Sequence, residues 1–249
     1  MEQIAPKWTA VMLAGGLGSR LAPLTAVIPK PLVPIDKEAI AEILLRQLGH
    51  YGIGNVIVSV GYLGHLIEAV LGDGARFGLA ITYQREEAPL GTVGPLWLVA
   101  DRLPENFLVL NGDVLSDIDF GALMAAHGAG GHAMTVATFP KQVRVDLGVL
   151  ETDATGCVNR FVEKPSYDFQ VSMGVYAMNR RVLGYFERGQ AFGFDQLVLA
   201  MLAKGDPIGT FSWARGRWLD IGRPSDYAVA QERFAAERNL YLPWEAPAQ

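Results

Sequence analysis

The chain is poor in cysteine and histidine. Of its 249 residues one is cysteine, Cys157, and four are histidine, at positions 50, 65, 127 and 132. A single thiol excludes an intrachain disulfide framework and fits a reducing compartment. The histidines lack the spacing of a metal centre, and Cys157 is expected in the core. An excess of positive charge is lacking too: 21 Lys+Arg stand against 26 Asp+Glu, a net charge of −5, with no run of like charges. The chain therefore offers no broad basic face to nucleic acid, and any anion must be met by local positive groups. No apolar run reaches the roughly 18 residues that cross a bilayer. The opening MEQIAPKWTA carries no apolar segment of a signal peptide. The expectation is a soluble, cytoplasmic protein without a membrane partner. Repeats, linkers and low-complexity tracts are also missing, so residues 1–249 read as one domain. Its tail, residues 240–249 with Pro243 and Pro247, is expected to be loosely held.

Half of the residues are hydrophobic, ample for a large core. The first half alternates strand and helix patterns. Strands are expected at 9–13, 55–60, 79–84, 107–110 and 133–139, with helices at 38–51, 65–71, 93–101 and 118–127. Repeated βαβ order implies an α/β, Rossmann-like fold with a mostly parallel central sheet flanked by helices. Residues 147–151, 157–163 and 171–178 make the next part β-rich. Helices are then expected at 194–203 and 225–238. Ligands of such folds sit beyond the carboxyl ends of the strands.

One such end carries the densest signal. After the apolar run 9–13, the segment LAGGLGSRLAPLTAVIPKPLVP contributes Leu13, Ala14, Gly15, Gly16, Gly18, Ser19, Arg20 and Lys30. Glycines let backbone approach a ligand closely. A strand that runs into a glycine loop with fixed cations can hold phosphate. The spacing is not that of a P-loop, which needs G-x-x-x-x-G-K-[ST]. Nor is it a dinucleotide fingerprint, because Leu21 occupies the position of the third glycine. Read from its residues alone, the segment remains either a phosphate loop or a plain β–α turn.

LAGGLGSRLAPLT followed by PKPLVPI closely resembles the sugar-1-phosphate nucleotidyltransferases, also called nucleotide-sugar pyrophosphorylases. The resemblance continues in order through PLGTVGP (89–95), NGD (111–113), FVEKP (161–165), SMGVY (172–176) and WLDIG (218–222), spanning residues 9 to about 235. It implies transfer of a nucleotidyl group from an NTP to a sugar 1-phosphate, with pyrophosphate leaving. It gives Arg20 the β/γ oxygens of the triphosphate and Lys30 the α-phosphate region. It makes Asp113 a catalytic acid that shares one Mg²⁺ with Asp220. Glu163 and Lys164 resemble the family's sugar-phosphate clamp, and Gly148 and Gly174 its backbone contacts to the sugar. Ser172 stands where many relatives carry Asn. Asp117 and Asp119 read as turn and cap residues.

The base-binding segment is expected around Glu86, Gly91 and Thr92. Guanine presents two adjacent donors that one carboxylate can accept, whereas uracil or thymine presents one N–H between carbonyls. Glu86 therefore favours GTP. EEAPLGTVGP also resembles the corresponding segment of mannose-1-phosphate guanylyltransferases, with an aldose 1-phosphate of manno type, mannose or a heptose, as the favoured second substrate. The alternative is a uridylyltransferase acting on a sugar such as N-acetylmuramate 1-phosphate. An alternative of another class is a non-catalytic, nucleotide-sugar-binding regulatory subunit, whose sequence signature would be loss of Arg20, Lys30 or a metal acid. Assembly of several copies of the chain remains open.

Overall fold

The computed structural model describes residues 8–245. The chain runs β1 (Trp8–Ala14), β2 (Pro34–Ile35), β3 (Glu38–Ala39), α1 (Ile40–His50), β4 (Ile53–Val60), α2 (Gly64–Leu71), β5 (Ala80–Arg85), β6 (Asn106–Asn111) and β7 (Leu115–Ser116). It continues through α3 (Phe120–Gly130), β8 (Met134–Arg144), β9 (Val149–Thr152), β10 (Val158–Val162), β11 (Ser166–Asn179), α4 (Phe194–Ala203), β12 (Gly209–Ser212), β13 (Trp218–Leu219) and α5 (Pro224–Tyr241). Seven strands form one sheet in the order β12-β8-β11-β6-β1-β4-β5. The pairs β1–β4, β1–β6, β4–β5 and β8–β12 are parallel, while β11 lies antiparallel to both β6 and β8.

Both faces of the sheet are covered. Along β1, Ala10, Met12 and Ala14 face a core shared with α1, α2 and α3, while Val11 faces a second core. β6 divides in the same way, Leu108 and Leu110 to one side and Phe107 and Val109 to the other. The two-residue period sends successive side chains to opposite faces. That is why these strands read as unbroken apolar runs. Helix α1 buries Ile40, Ile43, Leu44 and Leu48 at helical spacing. Fully burying each such side chain stabilises by roughly 1.5–3 kcal/mol before the entropy cost. A third core joins α5 to α1 and to the β7–β13 pair through Ile40, Ile43, Leu115, Leu219 and Phe234.

The helix expected at 93–101 is present, as a 3₁₀ helix over Gly94–Arg102. The structure departs from the sequence expectations at two places. The tail is not loose over its described part: Tyr241 and Leu242 are buried, and Trp244 stacks on His50 at 3.7 Å. Glu245 accepts from Arg46 at 2.8 Å and from Arg238 at 2.7 Å, and Glu38 is ion-paired to the same two arginines. Residues 246–249 of that expected tail lie outside the described residues. Cys157 is exposed rather than a core thiol, because it sits in the turn joining β9 to β10. Asp119, by contrast, caps α3 by accepting from the Ala122 N–H at 2.8 Å. No helix of the described residues is long and apolar enough to cross a membrane.

Candidate nucleotide and sugar-phosphate site

A cleft of about 420 Å³ opens at the carboxyl ends of β1, β5 and β6. Leu13, Ala14, Gly15, Gly16, Gly18, Ser19 and Arg20 of the glycine loop line it, with Lys30, Glu86, Gly91, Thr92 and Asp113. With Gly222, the cleft thus gathers five segments spread from residue 13 to residue 222. Backbone hydrogen bonds fix its floor. Gly112 N–H donates to Leu13 O at 2.9 Å, tying the end of β6 to that of β1, and Glu86 N–H donates to Val60 O at 2.9 Å, extending β5 alongside β4. The Thr25 hydroxyl donates to Gly18 O at 2.8 Å and closes the loop.

Two glycines stand close to polar side chains of the site. A Cβ on Gly15 would stand 2.6 Å from Glu86 Oε1, so the glycine loop and the Glu86 carboxylate lie side by side and a side chain there would push the carboxylate aside. Gly174 has φ +75°, and a Cβ there would stand 2.6 Å from Asn111 Nδ2. It sits at the break in the β8–β11 register, between Ser172 and Tyr176.

The charged groups are organised by neighbours. Lys30 follows Pro29 in a short 3₁₀ turn with Pro31 at its second position, and its ammonium is ion-paired to Asp113. Both side chains are only about one-fifth exposed, so the pair is partly shielded from solvent. Glu86 uses both oxygens: Ser59 Oγ donates to Oε1 at 2.9 Å and Leu90 N–H donates to Oε2 at 3.2 Å. The Thr92 hydroxyl accepts from Phe194 N–H at 2.7 Å, linking the cleft to the start of α4.

Asp220 lies outside this cleft, in an adjoining cavity that shares Arg20 and Gly222 with it. Its Oδ1 accepts from Gly222 N–H at 2.9 Å. None of the expected sugar-side residues lines the cleft. Glu163 and Lys164 stand 3.9 Å apart and are half or more exposed. Gly148 adjoins Glu163, since a Cβ there would be 3.3 Å from Glu163 Oε2. Ser172 Oγ donates to Tyr176 Oη at 3.1 Å and accepts from Gly174 N–H at 3.3 Å. Of the sugar-side group, Gly174 alone reaches the cleft wall, through Asn111. Asn111, Pro31 and Pro89 also line the cleft, and Ser59 holds Glu86 from behind. Asn111 and Pro89 fall inside the motifs NGD and PLGTVGP, but nothing in the apolar run 55–60 marked Ser59.

A glycine loop, a shielded Lys–Asp pair and a carboxylate over one cleft make an α/β protein equipped to receive a phosphate chain and a polar ring. A family model described as Nucleotidyl transferase matches residues 9–237. The chain belongs to that family. It is 36% identical over 227 residues to the mannose-1-phosphate guanylyltransferase of Mycobacterium tuberculosis, covering 88% of this chain and 62% of that protein. It is 31% identical over 255 residues to the UTP–glucose-1-phosphate uridylyltransferase of a Synechocystis strain, covering 94% and 66%. The chain thus spans between three-fifths and two-thirds of the length of these curated relatives. Among solved structures, HddC from Yersinia pseudotuberculosis superposes with a TM-score of 0.72 at 26% identity, covering 92% of this chain and all of that one. The same protein complexed with GMP-PN superposes with a TM-score of 0.71 at 25% identity.

Proposed function

We propose that this protein transfers a nucleotidyl group from an NTP, with GTP favoured, to a sugar 1-phosphate of manno type, mannose or a heptose, releasing pyrophosphate. The observation that carries the reading is the single cleft in which the glycine loop, Arg20, the Lys30–Asp113 pair and Glu86 meet. The sugar-phosphate oxygen forms the new bond to the α-phosphorus. The bond from that phosphorus to the α–β bridging oxygen breaks, and pyrophosphate leaves with the electron pair. Such a step asks for in-line positioning and neutralisation of charge more than for covalent help. Loop N–H groups from Gly15 to Ser19 cradle the phosphates, Arg20 grips the β/γ oxygens with its fork, and Lys30 meets the α-phosphate. Lys164 neutralises the incoming phosphate, and Glu163 accepts sugar hydroxyls.

Asp113 and Asp220 suit Mg²⁺, a hard cation that takes one or two carboxylates and completes its shell with substrate phosphates and water. They flank two adjoining cavities with Arg20 between, and no cluster of three metal-binding side chains occurs among the described residues. When bound, the ion supplies Lewis-acid polarisation of the phosphate oxygens.

Guanine is favoured because Glu86 keeps lone pairs free after accepting from Ser59 and Leu90; a carboxylate has about four acceptor sites. Uridylyl transfer is the second reading, supported by the similarity to the Synechocystis uridylyltransferase. The test is a panel of GTP, UTP, dTTP, CTP and ATP against sugar 1-phosphates with Mg²⁺, read as pyrophosphate release. GTP turnover well above the others is expected; equal or better turnover with UTP overturns the base assignment. Absence of pyrophosphate with every pair overturns the transferase reading. We place the reaction in the cytoplasm, where nucleoside triphosphates are available.

A further inference from the structure

The adjoining cavity has a volume of about 380 Å³ and an unusual balance of charge. Arg20, Lys141, Arg223 and Arg233 line it, against Asp220 and Asp226. Ion pairs are common elsewhere on this molecule, yet among the described residues none of these four cations stands within 4.0 Å of a carboxylate oxygen. Glu237, four residues beyond Arg233, is taken by Arg217 at 2.8 Å. The cations come from three separate elements: the glycine loop, β8, and the start and third turn of α5. Arg223 is also the N-cap of α5 and makes no side-chain cap bond, so the positive end of that helix adjoins the same space. Converging, unpaired like charges repel, and a multiply charged anion placed among them relieves that repulsion.

We propose that this cavity is the subsite for the two terminal phosphates of the NTP and for the pyrophosphate that leaves, with Lys141, Arg223 and Arg233 as ligands not suggested by any sequence motif. This rests on the nucleotidyl-transfer reading above. Continuity selects pyrophosphate over the sugar phosphate. Arg20, which meets the β/γ oxygens in the cleft, is the shared wall, whereas Gly148, Glu163 and Lys164 line neither cavity. As the bond from the α-phosphorus to the bridging oxygen breaks, negative charge gathers on the leaving group, and the three extra cations stand where it gathers. They stabilise charge that grows along the reaction coordinate, so they act on the transition state as well as on product.

The experiment uses the full chain and the double variant Arg223→Gln/Arg233→Gln. Both side chains are exposed, so folding is preserved, and the thermal midpoint checks this. Calorimetry with pyrophosphate at fixed ionic strength should show about tenfold or greater weakening, the scale of losing charge-assisted hydrogen bonds, with GMP binding unchanged within about twofold. In the reverse reaction KM for pyrophosphate should rise alongside, while KM for the nucleotide sugar stays put. Arg215→Gln removes the same charge at a residue that does not line the cavity and should leave pyrophosphate binding unchanged. Unaltered pyrophosphate affinity in the double variant, or an equal loss with Arg215→Gln, overturns the proposal. A rise in KM for sugar 1-phosphate alone reassigns the cavity to the second substrate and also overturns it. If the parent protein releases no pyrophosphate from any NTP, the functional reading fails, and calorimetry with pyrophosphate still decides the cavity.

Discussion

Ser59 Oγ donates to Glu86 Oε1 at 2.9 Å, from a side chain that is almost wholly buried at the end of β4. This bond, with Leu90 N–H on the other oxygen, aims the Glu86 carboxylate across Gly15 and into the cleft. We expect Glu86→Gln to exchange a two-acceptor group for one that both accepts and donates, which suits uracil or thymine better than guanine. The ratio of kcat/KM for GTP to that for UTP should fall by roughly 10–100-fold, the scale set by one or two mispaired polar groups in a closed site. An unchanged ratio would place the base elsewhere.

The Lys30–Asp113 pair ties the cation proposed for the α-phosphate to the acid proposed for Mg²⁺. Asp113→Ala should lower kcat on the order of 10²-fold or more, and Lys30→Ala comparably. The double variant should cost much less than the product of the two, because the groups act as a unit. Strictly multiplicative losses in steady-state kinetics would show two independent roles. Arg20→Ala should cost a few kcal/mol of transition-state stabilisation, by analogy with charge clamps in other phosphoryl transfers.

Gly174→Ala tests whether the β8–β11 break belongs to the site. Its positive φ and the 2.6 Å approach to Asn111 both resist a methyl group. We expect destabilisation of about 1–3 kcal/mol. KM for sugar 1-phosphate should also rise, with little change in nucleotide KM. A change confined to the nucleotide would detach Gly174 from the sugar side.

The tail bears on stability rather than chemistry. Trp244 is stacked nearly parallel on His50 and is partly buried. Trp244→Ala should cost roughly 1–3 kcal/mol and lower Tm by about 2–4 °C per kcal/mol for a chain of this size. Differential scanning of the two proteins checks it, and an unmoved Tm would show that the Trp244–His50 contact adds no stability.

Stability should also fall as pH drops below neutrality. Burial holds the His127 imidazole below its ordinary value of 6.5, with His132 and Arg181 adding repulsion, and burial does the same to His50. His127 Nδ1 and Thr135 Oγ1 are 2.9 Å apart inside the core. With folded values depressed, the unfolded chain takes up protons first as pH falls through about 6.5, so stability is lost in that direction. Urea midpoints at pH 7.5 and 5.5 should therefore decline, and His127→Gln should flatten the decline. A flat profile in the parent protein contradicts the reading.

The alternation of apolar strands and amphipathic helices is legible in the residues alone, because burial on one face or two leaves a local period that packing then obeys. The sequence also marked the glycine loop and its cations, which lie together in one motif and line the main cleft, whereas Asp220 and the sugar-side residues fell outside that cleft. The tertiary structure alone decided what depends on distant partners. Ser59 looked like any member of an apolar run until β5 brought Glu86 beside it. The tail looked loose until Arg46 and Arg238 supplied partners for Glu245. Cys157 looked like a core residue until its place in an exposed turn was set. Arg223, Arg233 and Lys141 are ordinary surface cations in sequence. Only the meeting of α5, β8 and the glycine loop puts their charges around one space, and electrostatic convergence of that kind has no period to read.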